Sequence, residues 1–219
     1  MKESLRAFMN GLIDYAGLFP PAKLPLDEAI DDYIMHLKGE NSWMLGRFII
    51  PVSKLNELDQ FVSLFDEIEP LELAVLGSGE NSDDEYLSKI SNDMAKISDY
   101  RNKHSGKVRI EVYECKLPSN SPSKETMEKA TDLLNQNKLS HYHEFPELPD
   151  VGINYSANED ESSWDEEILP VVSMIAELEG AGIKLRCGGI VKDAFPSVEQ
   201  MAAMIQTCAL IDIPMKCTA

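Results

Sequence analysis

The chain has 219 residues, 43% of them apolar and 26% charged, with a formal net charge of −18 at pH 7. That is enough apolar material for a sizeable core, in one large domain rather than two small ones. The charge argues against nucleic acid, whose phosphates would repel it, and against docking on an anionic membrane surface.

At the N-terminus, Leu5, Phe8, Met9 and Leu12 recur at helical spacing. This predicts an amphipathic helix rather than a secretory leader. No apolar run approaches the roughly 18 residues of a membrane span. Both features point to a cytoplasmic protein. The segment Leu12–Ala16 suits a very short first strand, with Asp14 where it opens into Gly17-Leu-Phe-Pro-Pro21. That stiff apolar loop suits either a cavity wall or a packing plug.

A stripe of Leu26, Ile30, Tyr33, Ile34 and Leu37 predicts a helix before the next strand, Phe48–Val52, which Arg47 precedes. Strands are then expected at Leu71–Leu76, Val108–Lys116, His141–Phe145, Ile183–Cys187 and Pro214–Thr218. Helical stripes separate them: Leu55 to Phe65, Leu87 to Ile97, Met127 to Leu134, Ile168 to Ala176, and Met201 to Cys208. Met201 and Met204 fit as core filler. Ser121-Pro122, and Ser197 with Gln200, are the clearest helix starts; Asn56 and Asp83 are weaker caps.

The six clear strand starts lie about 33 residues apart, the size of a βαβ unit. Strict alternation predicts an α/β protein with a parallel sheet. Central strands of open sheets are nearly continuous apolar runs. Here Arg109 to Lys116 and Lys184 to Cys187 alternate charge with bulk. That favours a parallel (β/α) barrel-like domain over the alternative, an open doubly wound sheet. With the short first strand the count is seven, against eight in a closed barrel. The expectation is a single (β/α) domain over residues 1–219, incomplete at its C-terminus by its last β/α unit. Unpaired edges beside the gap would invite a homo-oligomer.

Charge collects at the strand ends: Glu114 and Lys116, Glu144, Lys184 and Arg186, then Lys216. Residues two apart on a strand share a face. Because unpaired charge is costly to bury, these residues predict a shared polar pocket at the C-terminal end of the sheet. Mixed signs at close range separate acid from base roles. Lys184 or Lys216 suits a nucleophile, as in Schiff-base enzymes, and Glu114 or Glu144 a general acid/base. Arg186, with backbone N–H groups at Gly188 and Gly189, suits a phosphate or carboxylate. Lys116, Asp14 and Arg47 are further ligand-binding candidates. The alternative is a salt-bridge network that merely closes the barrel end, with the glycines forming a tight turn.

His141 and His143 share a strand face opposite to Glu144, so a metal site there and the charged pocket exclude each other. No third ligand is evident near His36 or His104, and neither metal nor cofactor is expected. Gly77-Ser-Gly79 lacks the third glycine of a dinucleotide fingerprint. The four cysteines, Cys115, Cys187, Cys208 and Cys217, form no Cys-x-x-Cys pair and suit reduced core thiols. The acidic segments 158–161 and 165–167 suit solvated surface.

Ala16-Gly-Leu-Phe-Pro-Pro-Ala22, Gly46-Arg-Phe48, Lys184-Leu-Arg-Cys-Gly-Gly189, Phe195-Pro-Ser197 and Pro214-Met-Lys-Cys-Thr-Ala219 together resemble a family of uncharacterised bacterial proteins with no established activity. The resemblance implies a continuation past Ala219 into a Gly and His-His stretch. A lysine on a late barrel strand followed by small residues is also similar in style to deoxyribose-phosphate aldolases. Those carry a longer Lys-Thr-Ser-Thr-Gly-like run in another motif order. The expectation is a lyase or isomerase for a small anionic metabolite, phosphorylated or not. The alternative is a non-catalytic barrel-like binding or scaffold protein. A short test for either is where the charged strand ends point.

Overall fold

The computed structural model of the protein describes residues 3–66, 68–79, 82–149, 151, 163–188 and 195–218, without the side chains of Ser163 and Asp165. Gly189 and the acidic segment 158–161 lie outside the described residues. The strands are β1 (Ile13–Tyr15), β2 (Leu45–Pro51), β3 (Leu71–Leu76), β4 (Val108–Lys116), β5 (Ser140–Glu144), β6 (Ala181–Arg186) and β7 (Met215–Thr218). They form one parallel sheet in chain order, β1 to β7. A doubly wound sheet reverses its strand order at a switch point, and this order has no reversal. The protein therefore has the α/β parallel, barrel-like arrangement, with seven strands among the described residues. No described helix is long and apolar enough to cross a membrane.

The helices are α1 (Glu3–Met9), α2 (Leu26–Leu37), α3 (Leu55–Leu58), α4 (Asp83–Lys103), α5 (Lys124–Gln136), α6 (Ser163–Glu167), α7 (Leu169–Ala176) and α8 (Val198–Ile211). Several depart from the periodicity. α1 forms, but it buries no residue, and Phe8 is 70% exposed. The stripe from Leu55 makes one α-turn and then a 3-10 helix, Asp59–Phe65, which still buries Leu55, Leu58, Val62 and Phe65. The stripe from Ile168 to Ala176 lies in α7, with Ile168 as its N-cap and Pro170, which has no N–H to donate, in its first turn.

Three of the expected caps move. α5 starts after Ser123 rather than at Pro122, because Ser123 Oγ accepts from Thr126 N at 3.1 Å. Asp83 lies inside α4, where its carboxylate accepts from Thr126 Oγ1 at 2.7 Å. Ser82, just before it, accepts from Glu85 N at 3.4 Å. Asn56 is interior to α3. The Ser197–Gln200 capping box is present in both directions.

Contacts divide the chain into two compact units, Met1–Leu76 with Ala95–Val112, and Gly77–Met94 with Tyr113–Ala219. In the first, Tyr15, Tyr33 and Phe48 stack at centroid distances of 5.4–5.5 Å. They pack with Ile30, Ile50 and Leu58, all fully buried. In the second, the core is built from Met127, Ala130 and Leu134 of α5, Val172 and Ile175 of α7, Ile183 of β6 and Met204 of α8. The loop after β3 needs glycine at position 77: a Cβ there would lie 1.9 Å from Tyr113 Oη.

Candidate functional site

The second unit gathers the charged strand ends. Glu114 lies near the end of β4 and is 1% exposed. Its Oε2 is 3.2 Å from Lys184 Nζ, and its Oε1 accepts from Lys216 Nζ. Lys184 Nζ also lies 3.0 Å from Glu144 Oε2, and its side chain is 8% exposed. The register explains the convergence, since Glu144, Lys184 and Lys216 are successive partners across β5, β6 and β7. In-register residues of neighbouring parallel strands point to the same face. Lys216 on β7 still reaches Glu114 on β4, across two intervening strands. Flat strands about 4.8 Å apart would separate those backbones by roughly 14 Å, so this face of the unit is concave.

Above the cluster is a cavity of about 250 Å³ lined by Lys116, Glu144, Lys184 and Arg186, together with apolar side chains that include Leu148 and Phe195. Lys116 and Arg186 are exposed, and neither has an ion-pair partner among the described residues. Arg186 Nε donates to Gly188 O at 3.3 Å. Gly188 is buried beside the cavity wall, and its proposed partner in anion binding, Gly189, is not described. Gly79 lets the backbone pass close to Lys116, since a Cβ there would come within 2.9 Å of the lysine Cβ. Glu114 and Lys216 do not line the cavity. They sit behind Lys184.

Asp14 and Arg47 belong to the first unit, not to this cluster. Asp14 Oδ1 accepts from Arg47 N at 2.7 Å, and the Arg47 guanidinium lies 3.8 Å from Glu111. Asp14 thus links β1 to β2, and Arg47 reaches Glu111 on β4.

Several cavity residues carry no charge pattern by which a sequence would disclose them. Phe145 and Leu148 follow β5, and Met204 is fully buried on α8 while lining the cavity. Phe195 is 56% exposed at the cavity edge. The only sequence signal for it is the Phe195-Pro-Ser197 motif. Gln200 is engaged twice over, as capping-box acceptor and as donor to Leu148 O and Pro149 O, both at 3.0 Å. It ties the start of α8 to the cavity wall.

His141 and His143 point to the other face, as their spacing from Glu144 requires. Both are fully buried. His141 Nδ1 and His143 Nε2 are 2.7 Å apart, and His143 Nδ1 lies 3.1 Å from Tyr86 Oη and 3.4 Å from Cys115 Sγ. Burial, partly opposed by the Glu179 backbone, lowers the His141 pKa to about 4. Burial first, and then its neighbour His141, lowers that of His143. Burial pushes the Cys115 thiol up to about 12. The network is neutral and sealed from solvent, and His141 Nε2 at its end makes no hydrogen bond among the described residues. Among the described residues no group of three or more His, Cys, Asp or Glu side chains is placed to hold a metal.

Cys115 and Cys208 are buried thiols, Cys187 is half-buried, and Cys217 is exposed. The expectation that all four are core residues therefore fails at Cys217, on the short last strand.

Compared with known proteins, the chain matches no family model and no curated protein.

Proposed function

We propose that the cavity at the C-terminal ends of β4, β5 and β6 is the site of a lyase or isomerase acting on a small anionic, phosphorylated or carboxylated metabolite. One observation carries this reading. A nearly buried lysine, Lys184, is held between Glu114 and Glu144 at the floor of a cavity whose mouth carries two cations, Lys116 and Arg186, with no ion-pair partner among the described residues. A purely structural network has no need of the cavity, and a binding site has no need of the two carboxylates around the lysine. Together they supply an anchor for an anion, a nucleophile or electrostatic stabiliser, and a proton acceptor. On this reading the protein works in the cytoplasm on a soluble metabolite.

The test is a thermal-melt screen of small phosphates and carboxylates, followed by product analysis for the ligands that bind. A ligand at 100 times its Kd should stabilise the fold by about 2.7 kcal/mol. R186M and K116M should each weaken that shift. K184M should abolish turnover. If no anion raises the melting temperature, the reading fails.

A second reading has its own support. Glu114 and Lys216 lie outside the cavity lining yet take part in two of the cluster's three ion pairs among the described residues. That fits a scaffold whose charges brace β4 against β6 and β7. On that reading, anions bind weakly or not at all, and K184M lowers stability without any lost activity to measure.

A further inference from the structure

We infer, resting on the catalytic reading above, that Lys184 rather than Lys216 forms a covalent iminium with the substrate, and that the substrate is a small aldehyde or ketone bearing a carboxylate or phosphate. In this assignment Glu144 carries the proton, and the Glu114–Lys216 pair positions Lys184 from behind.

The geometry separates the two lysines. Lys184 and Glu144 both line the cavity, whereas Lys216 and Glu114 do not. Only the first pair can touch a bound molecule. The two carboxylates differ as well. Glu114 is 1% exposed, with one oxygen on each lysine. Glu144 is 16% exposed, with Oε2 3.0 Å from Lys184 Nζ, and it faces the cavity. It is the carboxylate placed to exchange a proton with both the amine and a substrate oxygen.

The chemistry balances within the cluster. Glu144 takes a proton from the Lys184 ammonium, leaving a neutral amine and a neutral acid. Two charges of opposite sign disappear together, so the buried Glu114–Lys216 pair meets no net change. The amine nitrogen adds to the substrate carbonyl carbon, and its proton passes to the oxygen to give a carbinolamine. Glu144 returns its proton to that hydroxyl, the C–O bond breaks, and water leaves as the nitrogen lone pair forms the C=N bond. The net reaction converts ammonium and carbonyl into iminium and water. The iminium then withdraws electrons from the adjacent carbon, which is what a lyase or an isomerase of carbonyl compounds requires.

The rest of the cavity selects the substrate. Arg186 and Lys116 supply cations for one anionic group. Leu148, Phe195 and Met204 supply apolar wall, which favours loss of water from the carbinolamine. A volume of about 250 Å³ lies below the usual range for drug-sized ligands, so a compound of a few carbons fits.

The experiment is reductive trapping with cyanoborohydride, using glyoxylate as the anionic aldehyde and propionaldehyde as the neutral one. The labelled lysine is mapped by peptide mass spectrometry, and melting curves are recorded in parallel. The expected result is labelling of Lys184 ahead of every surface lysine, with glyoxylate preferred. R186M removes the preference for glyoxylate. K184R, which keeps a cation between the carboxylates, removes the site-specific label. E144Q slows labelling by about a hundredfold. K216M shifts the pH dependence of labelling at Lys184 and K216R restores it, whereas a merely structural Lys216 would change only the melting temperature.

Label confined to Lys216 overturns the assignment but leaves a lysine-dependent site. Indiscriminate labelling, with glyoxylate still raising the melting temperature, overturns the covalent step but leaves the anion site. Indiscriminate labelling with no thermal shift overturns both this inference and the function it rests on.

Discussion

The two faces of the β4–β6 strands in the second unit bury polar groups in opposite ways. On one face Glu114, Glu144, Lys184 and Lys216 are joined in ion pairs, and the cluster opens into a cavity. On the other, Cys115, His141, His143 and Tyr86 are neutral, hydrogen-bonded to one another and sealed. The residues alternate along the same strands: Glu114 beside Cys115, and His143 beside Glu144. The contrast teaches that a buried polar group is tolerated in two forms. A charge needs a counter-charge, and a neutral group needs a hydrogen bond. Only the first form leaves chemistry available to a ligand.

The largest expected effect comes from breaking the charged face. E114L removes the partner shared by Lys184 and Lys216 and leaves two cations in a nearly dry site. Loss of one member of a buried ion pair costs about 3–5 kcal/mol. Urea denaturation should show a loss of that size, and a loss under 1 kcal/mol would mean that water reaches the cluster freely.

The neutral face should respond to acid. Burial depresses the folded-state pKa of His141 to about 4, below the usual value near 6.5, while the unfolded chain still binds a proton near 6.5. Below that pH the unfolded state therefore takes up more protons. The stability contribution is complete above pH 6.5 and is lost as pH falls toward 4, by about 3 kcal/mol in all. His143, shifted in the same direction, steepens the fall. Urea midpoints measured from pH 7.5 to 4.5 should show this slope, and H141L should flatten it. An unchanged slope in H141L would place the acid sensitivity elsewhere.

A smaller loss is expected from Y86F. It removes the hydroxyl that lies 3.1 Å from His143 Nδ1 and 3.3 Å from Cys115 Sγ, at a cost of about 1–3 kcal/mol for the buried partners left unsatisfied. The pH slope should persist, because both histidines remain buried. A variant as stable as the parent would show that the two partners satisfy each other.

The smallest stability effect sharpens the contrast from the cavity side. Lys116 is exposed, with no ion-pair partner among the described residues. K116M should therefore change stability by no more than about 0.5 kcal/mol while weakening the melt shift given by anions. A large loss of stability would put Lys116 in the structural network instead.

Much of this arrangement was legible before any tertiary structure. β3 and β4 have the predicted boundaries, and β5 to β7 agree within about two residues, because alternating charge and β-branched bulk is a local signal. The opposite facing of His143 and Glu144 follows from strand periodicity alone. Other features were not legible. The Leu55–Phe65 stripe satisfies both an α-helix and a 3-10 helix, and packing chose between them. Asp14 and Arg47 share the charge of the strand-end residues, yet they lie in the first compact unit, where Asp14 Oδ1 accepts from Arg47 N at 2.7 Å. Phe195 and Met204 carry no charge, so nothing local marks them as cavity wall.

The sequence by itself determined the strand–helix alternation, the faces on which charge and histidine lie, and the capping box at Ser197, because each depends on spacings of two to four residues. Only the tertiary structure decided that Lys216 and Glu114 meet across 102 positions of chain. It also decided that Lys184, not Lys216, lines the cavity, and that the histidines close on Tyr86 and Cys115. Those outcomes depend on strand order, register and the curvature of the sheet, which no short stretch of sequence encodes.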